Sequence, residues 1–258
     1  MPQNTNLNVS PYFDDFDSSK NFNRVLFKPG SPIQARELST LQSILSGQIE
    51  KFGKHFFKEG SVVIPGYFKY DGQYTSVKLE STFFGVPVEL YYDKLVGLRI
   101  QGKSSGIVAQ VVKVLSSASS ETNHTTLYIK YEKTSDDYLS QTFLDGETLT
   151  TLADFTYGTT TISNGSDFAT TINSNSTHVG SSFSITRGVW FIRGTFVEVN
   201  PETIILNQYE PYATFRVGLN VKEEIVTAVD DNSLYDNADG FSNFTAPGAD
   251  RFKISVSL

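Results

Sequence analysis

Cysteine is missing from this 258-residue chain, and with it go disulfides, thiolate zinc sites and any cysteine nucleophile. That absence suits assembly in a reducing cytoplasm. Histidine is scarce: His55, His124 and His178 lie far apart, with none of the short spacings of a metal-binding helix or a zinc module. Positive charge is short as well, 21 Lys and Arg against 28 Asp and Glu for a net charge of -7. A broad attraction to nucleic-acid phosphates is therefore not expected. The chain lacks a run of about 18 apolar residues, so no membrane insertion is expected. Its opening, MPQNTNLNVSPYFDDFD, has neither a basic nor an apolar leader segment, and the expectation is a soluble, unsecreted protein.

What is present favours strands: 13 Tyr and 20 Phe beside a single Met and a single Trp, with abundant Thr, Ser, Gly and Val. A chain of this length can bury roughly 70–75% of its unfolded surface without metals or cross-links. One long helix is expected over 31–58. Ser31 stands as N-cap, Pro32 at the first helical position and Gln34 as the closing residue of a capping box. Leu38, Leu41, Ile44, Leu45, Ile49, Phe52 and Phe56 then recur three and four apart, the spacing of one buried stripe, and Gly60 is a stop signal. Before the helix, residues 1–30 form an extended arm in which Tyr12, Phe13, Phe16 and Phe22 have no helical or strand period. These four are the candidate interface residues.

After the helix the period changes to two. Asp71-Gly72, between Tyr67–Tyr70 and Gln73–Leu79, predicts a hairpin, because a type I′ turn needs positive φ at both central positions. Strand clusters at 97–115 and 125–131 and a turn at Asp145-Gly146 predict a small inserted β-barrel over 94–155. Thirteen Ser and Thr among residues 156–182 mark 156–175 as a connector. The main domain then comprises 1–93 and 176–258. Its centre is Gly188–Val199, a hairpin turning at Arg193-Gly194 and apolar enough to be covered on both faces. The expected core residues are Leu38, Leu41, Leu45, Phe52, Trp190 and Phe191. The fold class is mainly β with one long N-terminal helix, an α+β arrangement whose antiparallel core is interrupted by the barrel.

Chemical motifs are few. Gly97-Leu98-Arg99-Ile100-Gln101-Gly102-Lys103-Ser104 matches the phosphate-loop pattern, but the β-branched run after it reads as strand, where phosphate binding needs a helix N-terminus. Asp236–Gly240 fails the EF-hand register, since Tyr235 and Ala246 would occupy the first and twelfth ligand positions. The letters Gly-x-Ser-x-Gly occur at Gly102–Gly106, but the β-branched run after them reads as strand, where the elbow of serine hydrolases needs a helix. No catalytic residue, cofactor or metal site is expected.

The segments Tyr12–Asp17, Asn21-Phe22, Val25–Gly30, Pro32–Leu38, Leu41–Leu45, Gln48–Glu50, Phe57–Gly60 and Val63–Gly66 carry a family likeness. Gly188–Val199, Phe241–Phe244 and Ala246–Arg251 continue it. Together they resemble the uncharacterised N-terminal domain of virion proteins in T4-like phages and cyanophages, found in tail-fibre and baseplate proteins. The resemblance implies a structural, non-enzymatic role in assembly and host attachment, within a virion assembled in the host cytoplasm. The implied partners are other tail and baseplate proteins. A homo-oligomer is expected, a trimer at a fibre base. Two other readings stay open: a receptor- or glycan-binding module stacking exposed Tyr and Trp on sugars, and a capsule depolymerase.

Overall fold

Strand-prone sequence follows a single long helix, and the computed structural model, which describes residues 3–136, 138–212 and 214–258, is mainly β with antiparallel sheets. The helix is α1 (Ala35–Phe56). Strands β1 (Ser61–Ile64), β2 (Phe68–Lys78), β3 (Thr82–Phe83), β4 (Val86–Pro87), β5 (Arg99–Gly102), β6 (Val108–Leu115), β7 (Thr126–Lys133) and β8 (Thr148–Thr151) follow it. Then come β9 (Phe155–Tyr157), β10 (Thr160–Ile162), β11 (Asp167–Thr170), β12 (Thr177–Ile185), β13 (Gly188–Ile192), β14 (Thr195–Val199), β15 (Glu202–Asn207), β16 (Asn220–Val226) and β17 (Arg251–Ser257).

Contacts divide the chain into two units. The first comprises the described residues up to Phe68, Ile185–Glu202 and Val217–Leu258; the second comprises Lys69–Ser184 and Thr203–Arg216. In the first unit the Arg193-Gly194 turn forms as expected. Both residues have positive φ, 52° and 73°, and Ile192 pairs with Thr195 across the β13–β14 hairpin. Trp190 is 1% exposed and Phe191 is fully buried. Gly66 and Gly188 make the slot for the indole, since a Cβ on either would come within 2.5 Å of it. Ile185, Ile192, Val197 and Val199 complete this core, with Val221 and Ile254 of the β16–β17 hairpin packed against it.

In the second unit the small barrel is present but its boundaries differ from 94–155. The order β11-β8-β5-β6-β7-β2 closes on itself, because Leu79 bridges Thr171 and the Glu80 amide donates to the Thr170 carbonyl at 2.9 Å. The barrel thus takes one strand from before residue 94 and one from after 155. Val77, Leu79, Ile100, Ala109, Leu127, Leu149 and Phe168 fill it. The supposed connector at 156–175 accordingly contains β10 and β11, and its Phe168 is among the largest fully buried side chains. Its Thr170 pairs with Thr148 of β8 and its Thr171 is fully buried, so these residues belong to the barrel instead of marking a loop.

Asp71-Gly72 does not turn; β2 runs straight through it. Neighbours distant in sequence hold this stretch extended: the Tyr70 hydroxyl donates to the Pro211 carbonyl at 2.6 Å, and that same oxygen would lie 3.0 Å from a Cβ on Gly72. Gly72 serves close backbone approach here, not positive φ.

Candidate interaction surface

The helix starts later than its sequence signal. Lys28–Ser31 forms a turn, with the Ser31 amide donating to the Lys28 carbonyl, and Gln34 becomes the extended N-cap residue. The Glu37 carboxylate closes the first turn by accepting from the Gln34 amide at 3.0 Å. At the other end Phe57, already extended, ends the helix before Gly60.

Which side of α1 packs inward is the decisive feature. Its buried residues are Ser43, Ile44, Gly47 and Gly53. The N-terminal arm lies along this side of small and polar residues. Asp14 is nearly fully buried and accepts from the Ser43 hydroxyl, from Thr40 Oγ1 at 3.1 Å and from the Phe16 amide at 3.2 Å. The Phe16 ring sits over Gly47, 3.1 Å from where a Cβ would stand, and any side chain at Gly53 would overlap the Phe191 ring. At about 100° per residue, Thr40, Ser43 and Gly47 lie opposite the apolar stripe. The stripe therefore faces outward: Leu38 is 48% exposed, Leu45 57%, Ile49 50%, Phe52 65% and Phe56 63%.

This corrects the expected core. Leu38, Leu45 and Phe52 belong to neither core cluster, and Leu41 is only half-buried; of the stripe, Ile44 alone is buried. The physical reason is competition for one surface. Glycine and serine let the arm and Phe191 approach the helix backbone closely, so the opposite face is left for solvent. Rings gather at the exposed C-terminal end, Phe52 and Phe56 with centroids 5.0 Å apart and His55 edge-on to Phe56 at 4.9 Å.

The four arm aromatics divide. Tyr12 and Phe16 are held on their own unit, whereas Phe13 and Phe22 are exposed. The Tyr12 hydroxyl donates to the Asp250 carboxylate at 2.6 Å, and this hydrogen bond, with some burial and the carboxylate charge, pushes the phenol above its ordinary pKa. A cavity of about 550 Å³ lies behind the arm, lined by Tyr12, Asp14, Ser43, Glu50, Arg193 and Asp250. Several of its polar groups are engaged: Asp14 and Tyr12 as described, and Arg193 with Asn4 at 3.0 Å and Glu223 at 3.7 Å. They build the arm's seat.

The phosphate-loop pattern resolves into a strand and a turn. β5 and β6 pair antiparallel where a helix would be needed. The loop amides do bind an anion, but it is the chain's own: the buried Glu147 carboxylate accepts from the Ser104 and Ser105 amides at 2.9 and 2.6 Å. Lys103 is paired with Asp167 at 2.6 Å. Glu147 stands 42 residues beyond Ser105, and no local pattern marks it. Among the described residues no group of three or more His, Cys, Asp or Glu is placed to hold a metal ion. In the acidic loop, Asp230 accepts from Thr227 and Asp231 from the Ser233 amide, so both carboxylates serve local turns.

Residues 10–85 and 140–258, about three quarters of the chain, match the family described as a domain of unknown function, DUF4815. The chain belongs to that family. The DUF4815 match takes in the arm from residue 10, all of α1, and the strands that hold Trp190, so the outward apolar face lies within it. Residues 86–139, with β5, β6, β7 and the phosphate-loop pattern, lie outside. No curated protein and no solved structure matches the chain.

Proposed function

We propose that this protein is a structural subunit of a bacteriophage tail, from the baseplate or the base of a tail fibre, whose work is assembly and attachment rather than catalysis. One observation carries the assembly part. A 22-residue helix turns its small, polar side to its own fold and its apolar stripe outward, an arrangement that leaves substantial burial energy for a partner. Membership of the virion rests on the sequence resemblance to tail proteins of T4-like phages and cyanophages. The partners are then neighbouring tail proteins and further copies of this chain, brought together in the host cytoplasm. Against the glycan-binding alternative, Trp190 is enclosed in the core and offers no stacking surface. For capsule cleavage, a sugar-release assay on host polysaccharide is the direct test. The main test is to locate the chain in purified particles by mass spectrometry and by cryo-EM of the tail. Density for the chain at the baseplate or fibre root is expected. Its absence from particles, with the protein free in the lysate, would overturn the reading.

A further inference from the structure

We infer that the outward face of α1 is covered by the same face of two further copies of this chain, forming a parallel three-helix bundle. This rests on the assembly reading above and names its partner.

The first argument is pattern. Leu38, Leu45 and Phe52 recur every seven residues, and Leu41, Gln48 and His55 form the second seven-residue row of the same seam. Ile49 and Phe56 extend it on one flank. A seam of two positions in seven suits a pair of helices, whereas three in seven gives each helix two flanks to bury, as in a bundle. At about 1.5 Å per residue the 22-residue helix is roughly 33 Å long, room for three repeats.

The second argument is charge. Between Leu38 and Phe56 none of these seam positions carries a carboxylate, lysine or arginine; Glu37, Glu50, Lys51 and Lys54 all fall beside it. Glu50 and Lys54 already pair with each other at 2.7 Å. A seam without formal acids or lysines can meet a copy of itself with no like charges opposed.

The third argument concerns direction. Gln48 lies in the middle of the seam, and its amide has only a 3.5 Å bond to Asn23. In a parallel bundle with cyclic symmetry each residue meets its own copy, so the Gln48 carboxamides can bond one another. An antiparallel pair centred on the stripe would bury them against Leu45 instead, unsatisfied. Area agrees: with aromatics worth roughly 150–250 Å² each, the exposed part of the stripe is on the order of 500 Å² per helix. Two such faces remove about 1,000 Å², the threshold of a specific interface. The helix cannot turn the stripe inward, because Asp14, Phe16 and Phe191 occupy its other side.

The test uses the purified full-length chain. Light scattering over a concentration series should give three times 28.6 kDa, and Leu45→Glu with Phe52→Glu should reduce it to one. Trp190 fluorescence, a reporter of the intact core, should be the same in both. Because the chain has no cysteine, His55→Cys supplies one thiol per copy. Mild oxidation should link copies within minutes in the parallel bundle, whereas an antiparallel pair would hold these positions about 25 Å apart, 17 residues of helix. A wild-type chain that stays monomeric, a twofold mass, or a mass unchanged in the double variant would each overturn the inference. A monomeric chain that still enters tails at its normal level would overturn self-association alone and leave the tail reading standing; absence from particles would do the reverse.

Discussion

In the barrel unit, Val77, Leu79, Ile100, Ala109, Leu127 and Leu149 alternate along their strands with residues that face away, and each is wholly enclosed by its own unit. In the helix-bearing unit, Leu38, Leu45, Ile49, Phe52 and Phe56 keep an equally regular period and are left between 48% and 65% exposed. An apolar period shows that a face is built to be covered; it does not say by what. The difference lies in the opposite side of the element. In α1 that side offers Ser43, Gly47 and Gly53, and Phe16 and Phe191 rest on the two glycines.

The largest expected effect tests this contrast directly. Phe168→Ala in the barrel and Trp190→Ala in the first core should each destabilise by about 3–5 kcal/mol, the usual cost of emptying a packed aromatic site. Phe52→Ala, measured by denaturant unfolding at concentrations low enough to keep the chain monomeric, should change stability by less than about 0.5 kcal/mol, as surface substitutions do. A cost for Phe52→Ala comparable with that for Phe168→Ala would mean that the helix face is buried within the chain, and the contrast would collapse.

Next in size is Glu147, whose carboxylate accepts from two amides of the Lys103–Ser105 turn, from the Ser105 hydroxyl at 3.1 Å and from the Leu144 amide at 3.0 Å. Glu147→Ala strands these donors in a buried site and should cost about 3 kcal/mol. Glu147→Gln, which keeps one acceptor oxygen, should cost less. The same geometry predicts that ATP at millimolar concentration leaves the thermal midpoint of the wild type unchanged, since the turn already holds its anion. A clear upward shift that disappears in Lys103→Ala would sink this account.

Much of the fold was legible because its signals were local. The mainly-β class, the single long helix and the Arg193-Gly194 hairpin follow from periods and turn residues that act within a few positions. The misreadings came from long-range competition. Asp71-Gly72 carries a strong turn signal, yet the Pro211 carbonyl, 139 residues further on, settles against Gly72 and the strand continues. Thr and Ser in 156–175 look like linker, yet β11 pairs with β8 and Phe168 lies inside the barrel. The direction of the α1 stripe was hidden for the same reason, because the residues that claim the opposite side, Asp14, Phe16 and Phe191, come from the arm and from a distant strand. Glycines at 47 and 53, both off the apolar stripe of an amphipathic helix, were the one available hint.

A smaller, local effect concerns the arm on the helix-bearing unit. Glu223 accepts from the Asn4 and Thr5 amides at 2.9 and 2.8 Å and from the Thr5 hydroxyl at 2.7 Å. Burial alone would raise its pKa, but these bonds, with Arg193 adding its charge, hold it below the ordinary carboxylate value. The contribution to stability is therefore fully present above the ordinary carboxylate range and is lost as pH falls through the lowered folded value. Hydrogen exchange should show the Asn4 and Thr5 amides losing protection in that acid window while Trp190 and its neighbours keep theirs. Uniform protection across the window would show that Glu223 does not hold the arm.

The smallest effect asks whether the barrel unit is as self-contained as the comparison implies. β3 and β4 are joined by Phe84-Gly85, both with positive φ, 47° and 81°, the geometry of a type I′ turn. Glycine accepts this freely, but an aromatic residue there is strained by roughly 1–2 kcal/mol. Phe84 recovers little of that by burial, being 89% exposed, and its main contact is the Phe83 ring at 4.5 Å, worth about 0.5 kcal/mol at the surface. Phe84→Asn restores the favoured Asn-Gly pair and should stabilise the isolated chain by about 0.5–1 kcal/mol, read as a higher denaturant midpoint at unchanged slope. If it does, the barrel carries one outward residue that its own fold does not need, and the division between a closed unit and an open one is a matter of degree. If Phe84→Asn destabilises instead, the Phe83–Phe84 contact outweighs the strain, and the barrel satisfies even its exposed tip from within.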